Sequence, residues 1–144
     1  MVLGAKNPFS NSEKSELADR LALLLSVQLL PSPTPPSEGT KIEVKKGRIN
    51  RKAIGYIYGF VDSGLQCREQ NITDIDVGLP ILFHVLRTLF PGREQAYVDF
   101  LMHHMEDEIV VLGMMVGGQE YYDFLHSNGS PMGLARLILE YQED

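Results

Sequence analysis

The sequence predicts an all-α fold: a single-domain bundle of five to six helices, with a Pro-rich linker after the first helix and one short strand. Three observations carry this. Apolar side chains recur every three or four residues through most of the chain, as they do along one face of a helix. Pro, Gly and Asn punctuate those windows at close intervals, so the connections are short. Alternation with a period of two is confined to Thr40–Gly47. With 144 residues, 44% of them hydrophobic and 22% charged, the chain can bury one core. The domain plan is a tail and helix over 1–30, a Pro-rich linker and basic extended segment over 31–47, and a helical core over 48–144.

Gly4 and Pro8 mark residues 1–10 as a loose tail. The first helix starts near Asn11 or Ser12, with Ser12 or Ser15 as cap, and Pro31 stops it. Its stripe is Leu17, Leu21, Leu24, Leu25 and Leu29. Residues 31–39, PSPTPPSEG, hold four prolines and exclude helix and central strand. They form a tether, which lets the first helix pack on its own protomer or on another. Ile42 and Val44 then alternate with charged neighbours as in a strand. That strand has no clear partner in the chain other than itself across a dimer axis.

Asn50 is the N-cap of a second helix reaching about Cys67, with Ile54, Ile57, Val61 and Leu65 inward and Tyr58 at the edge. Asp62 needs a partner there, Arg87 or a tyrosine hydroxyl. Cys67 reads as a small packed side chain; as the single cysteine it excludes an internal disulfide and a cysteine zinc knuckle. Pro80 fits the first turn of a third helix capped near Asp76 or Gly78 and ended by Pro91 and Gly92. Its broad face is Leu79, Leu82, Phe83, Leu86, Leu89 and Phe90. A fourth helix, Arg93 to about Met105, presents Tyr97, Phe100, Leu101 and Met105.

Asp107 caps the fifth helix, whose inward face reads as Val111, Met114, Met115, Gly118, Tyr122 and Leu125, with Glu120 outward. Asn128 and Gly129 end it; Ser130 and Pro131 open a sixth helix carrying Leu134, Leu137, Ile138 and Tyr141. Gly55 and Gly59 in the second helix, and Gly113 and Gly117 in the fifth, each lie four residues apart. A glycine inside a helix costs about 0.5–1 kcal/mol relative to alanine. The four are therefore expected to face one another at a close crossing, the competing readings being a helix break or room for a ligand.

Several function classes are excluded. The longest apolar run, Leu21 to Leu30, contains Ser26 and Gln28 and falls short of the roughly 20 apolar residues of a membrane span. Glu13, Glu16 and Asp19 precede it and no cleavage site follows, so it is read as a helix of a cytoplasmic protein. No Gly-x-Ser-x-Gly elbow, phosphate loop or dinucleotide motif occurs, so no catalytic residue and no cofactor are assigned.

Two constellations remain. Lys41, Lys45, Lys46, Arg48, Arg51 and Lys52 are six cations against one acid, Glu43; this segment is net +5, and the total of −6 leaves −11 elsewhere. The plain reading is a solvated face answered by the chain's own acids. The functional one makes Lys45, Lys46, Arg48 and Arg51 a contact for an acidic protein partner; nucleic acid is disfavoured by the overall charge. The second constellation is His103, His104 and Glu108. If the fourth helix runs on far enough, His104 and Glu108 share a face, as do Asp99 and His103, and such pairs bind a divalent transition metal. The reading that follows is a small helical protein-interaction or regulatory protein without catalytic activity, self-associating as a homo-oligomer or holding an acidic partner. The alternative is a metal-binding helical bundle with hydrolytic or redox chemistry.

Overall fold

The computed structural model describes residues 10–29, 42–45, 48–67, 76–127 and 131–140. Within them the chain forms α1 (Asn11–Leu29), β1 (Glu43–Lys45), β2 (Arg48–Ile49), α2 (Arg51–Gln66), α3 (Gly78–Leu89), α4 (Glu94–His103), α5 (Glu108–Ser127) and α6 (Gly133–Glu140). The tail before Ser10, the proline-rich stretch and Ser130 lie outside the described residues.

α1 begins at a capping box two residues before Ser12 and five before Ser15, the expected caps. Ser10 Oγ accepts the Glu13 amide at 3.1 Å, and Glu13 Oε1 accepts the Ser10 amide at 3.1 Å. The helix buries Leu17, Ala18, Leu21, Ala22, Leu25, Gln28 and Leu29 on its own protomer, chiefly against α3, with further contacts to α2 and α6. The expected strand does have an intrachain partner: β1 pairs antiparallel with β2, Glu43 opposite Ile49 and Lys45 opposite Arg48. Pairing across a dimer axis is therefore not needed to satisfy it. The Asn50 amide extends the ribbon by donating to Ile42 O at 2.7 Å.

α2 is the central helix. Asn50 caps it as expected, its side chain accepting the Ala53 amide at 3.0 Å. Burial is continuous from Ala53 to Val61, not confined to one stripe, because other helices cover α2 on several sides. Its main neighbour is α5. A Cβ on Gly55 or Gly59 would overlap the carbonyl of Val110 or Met114; one on Gly113 or Gly117 would overlap the carbonyl of Lys52 or Tyr56. Partner numbers rise together along both helices, so α2 and α5 run parallel. In each case the glycine hydrogen that replaces Cβ points at a carbonyl oxygen, the geometry of a Cα–H···O contact worth about 0.5–1 kcal/mol. The four contacts roughly offset the helix-propensity cost of the four glycines.

Two parallel neighbours require the chain to return between them, and α3 and α4 make that return. Phe90, Gly92 at φ 88° and Arg93 form the turn between these two helices. Cys67, expected to be packed, is exposed at the C-cap of α2, where the helix leaves the core.

Candidate interaction surface

The orientation of α5 about its own axis decides what the molecule presents. Its glycine face must turn inward, because only there can the backbone of α2 approach. Asp107 fixes the start of the helix. Its Oδ1 accepts the Ile109 amide at 2.9 Å and its Oδ2 meets Arg51 Nη1 at 2.8 Å. The Arg51 hydrogen bond is the main reason its pKa lies below the ordinary carboxylate value, with the helix amides adding to it.

Further along α5, Glu120 points inward, not outward as its sequence position suggests. Its Oε1 accepts the Tyr56 hydroxyl at 2.6 Å and the Gly133 amide at 2.8 Å. Gln28, 3% exposed, completes this network: Nε2 donates to the Tyr56 hydroxyl at 3.2 Å, and Oε1 accepts the Leu134 amide at 2.8 Å. The first amides of α6 are thus satisfied by α5 and α1, with a carboxylate at the positive end of the helix dipole. Burial, then the Glu120 carboxylate, pushes the Tyr56 hydroxyl far above its ordinary pKa.

With these constraints in place, α5 buries Val110, Gly113, Gly117 and Tyr121. The expected inward face is corrected accordingly. Met115, Tyr122 and Leu125 point out, at 65%, 52% and 42% exposure, together with Leu112 at 50%. At about 100° per residue, Leu112, Met115, Gln119 and Tyr122 fall within an arc of about 80°. Periodicity could not choose between two adjoining apolar faces, and the glycines that mark the buried one carry no hydrophobic signal.

Beside this stripe lies a groove of about 310 Å³ between the C-terminal halves of α2 and α5. Tyr58, Asp62, Ser63, Gln66, Gln119 and Tyr122 line it, and Gly59 and Gly118 leave it open. Tyr58 is 5% exposed, and no hydrogen bond to its hydroxyl occurs among the described residues. Burial, and secondarily the charge of Asp62, pushes its pKa up to about 12. Asp62 is the one charged side chain lining the groove; Gln66 Nε2 donates to it at 2.8 Å. Arg87, expected as a partner for Asp62, instead approaches Glu94 at 3.5 Å.

The sequence-predicted sites are placed as follows. Arg51 is tied to Asp107 within the chain, so it is not a free contact for a partner. Arg48 is exposed on β2, without an ion pair among the described residues. Lys41 and Lys46 lie outside the described residues, and only the backbone of Lys45 is described. Glu43, the acid within the basic segment, is turned inward: it accepts the Tyr97 hydroxyl at 2.8 Å and lies 3.6 Å from Arg93. α4 ends at His103 and α5 starts at Glu108, so His104 and Glu108 do not share a helical face. His103 and His104 each direct Nδ1 at a carbonyl one turn back, of Asp99 and Phe100, both at 2.7 Å. Among the described residues no three His, Cys, Asp or Glu side chains gather into a metal-holding group.

No family model, curated protein or solved structure matches the chain. No helix among the described residues is long and apolar enough to cross a membrane.

Proposed function

We propose that the chain is a cytoplasmic protein-interaction module that works by binding, through the outward face of α5, and not by catalysis. The observation that carries this is the exposed stripe of Leu112, Met115 and Tyr122, continued by Leu125. Scattered surface apolar residues are ordinary, but several on one helical stripe mark a docking face. The same helix contributes four residues to the core, so a polar outer face would have been compatible with the fold. Methionine suits such a face, since its flexible, polarizable side chain adapts to a partner. The exposed Arg48, with its neighbouring lysines in the sequence, supplies a second contact for acidic groups on the partner.

A photo-crosslinking residue placed at Met115 or Tyr122 in the intact chain tests this in cells. A discrete adduct to one polypeptide is expected from both positions, lost when Leu112 is also changed to Asp. Gln95, exposed on α4, is the control. Adducts no stronger than those from Gln95 would overturn the reading.

A further inference from the structure

We infer that the α5 stripe and the adjoining groove receive a basic amphipathic helix of another protein, with one arginine or lysine of that helix seated between Tyr58, Asp62 and Tyr122. This rests on the proposed use of the α5 face and specifies the partner's chemistry.

From Leu112 to Leu125 the stripe runs about 20 Å at the helical rise of 1.5 Å per residue. That length accommodates an apolar helical face of three to four turns, laid along the stripe as in helix-in-groove recognition. The groove opens at its side, with Tyr122 belonging to both.

Between Arg93 and Arg136 the chain has no lysine or arginine. Glu94, Asp107 and Glu120 are engaged within the chain, while Asp62 lines the groove and Glu108 and Asp123 are exposed on α5. The last turn of α2 also carries no basic residue to answer its negative dipole end. A partner with apolar residues on one side and cations along its margins therefore meets a complementary field, whereas an acidic helix would be repelled.

Tyr58 packs its ring into the core and lines the groove beside Asp62. A guanidinium or ammonium in the groove would donate to the Tyr58 hydroxyl and to the Asp62 carboxylate, and would meet the exposed ring of Tyr122 in a cation–π contact. A second copy of this chain is a poorer occupant. Its basic segment is held as a ribbon with Ile42 and Glu43 buried, and the α5 faces of two copies would oppose like charges.

The test uses the full chain and a fluorescent, amidated 18-residue Leu/Lys helix with one central arginine, followed by anisotropy. A Leu/Glu peptide of the same pattern is the comparison. Saturable 1:1 binding of the basic peptide is expected, at least tenfold tighter than the acidic one and weakened by salt. Asp62→Asn should weaken it at least fivefold. Gln119→Lys, an exposed change that places a cation at the groove rim, should abolish it while the melting curve stays unchanged. Replacing the central arginine by glutamine should remove the Asp62 effect. Equal binding of both peptides, or no response to Asp62→Asn and Gln119→Lys, overturns the inference. So does a chain whose sedimentation shows a dimer that Met115→Asp dissociates. If Met115 crosslinks to a partner in cells while the peptide test fails, the interaction reading stands and only the basic-helix assignment falls. Failure of both experiments removes both.

Discussion

A methyl group added at Gly117 would overlap the Tyr56 carbonyl, whereas one added at Gly118 would have the Gly59 oxygen at 3.5 Å, an ordinary contact. Helix propensity favours alanine at both positions by about 0.5–1 kcal/mol. The two substitutions should therefore differ in sign. Gly117→Ala is expected to destabilise by about 1–3 kcal/mol or more, since two backbones must separate to admit it. Gly118→Ala should be neutral or stabilising by up to about 1 kcal/mol. Urea titrations of the pair check this, and a stabilised Gly117→Ala would show that the α2–α5 crossing is looser than described. Residue-level signals with local partners were legible in the sequence: Asn50 and Asp107 cap their helices through amides two or three residues away. The capping box of Ser10 and Glu13 is equally local, but Ser12 and Ser15 offer competing caps nearer the apolar stripe.

Helix α6 shows what a single segment could not reveal. It spans eight residues, and isolated helices shorter than about 12–15 residues are marginal in water. Its first amides are held by Glu120 and Gln28, which precede them in sequence by 13 and 106 residues. No spacing rule connects such distant partners, so Glu120 reads from the sequence as a surface residue. Truncation of Glu120 leaves the Gly133 amide and the Tyr56 hydroxyl short of an acceptor. Glu120→Ala is expected to cost about 2–3 kcal/mol, on the scale of a lost charge-assisted hydrogen bond. Hydrogen exchange at the Leu134 amide should accelerate more than at Ile57 in the middle of α2. Equal acceleration at both would mean that α6 is not held locally by this network. The docking face is half legible in the same way: Met115, Tyr122 and Leu125 read as one apolar stripe without Leu112, and its direction depends on glycines that meet a helix some sixty positions away.

Across the whole molecule, buried tyrosines set an alkaline limit. Folded-state pKa values of Tyr56 and Tyr58 are raised above the ordinary 10.0, that of Tyr58 to about 12. Raised values favour the protonated form in the fold. Their contribution is complete below pH 10 and is lost as pH climbs from there through the folded values, because the unfolded chain releases these protons first. Stability should fall by about 1.4 kcal/mol per pH unit for each such group in that window. Urea titrations at pH 9, 10 and 11 should show this decline, and Tyr58→Phe should make it shallower. A flat profile would indicate that water reaches both hydroxyls.

The parallel pairing of α2 with α5 also has a consequence during synthesis. Gly59 leaves the ribosome 58 residues ahead of Gly117, an interval of about 3–12 s at 5–20 residues per second. For that time the most completely buried helix of the finished protein exists without its main neighbour. Among the described helices, α1, and then α3 and α4, are present to shelter it. A nascent chain stalled before α5 would thus expose Ile54, Ile57 and Phe60 more than the finished protein ever does, and is the species on which a chaperone would act.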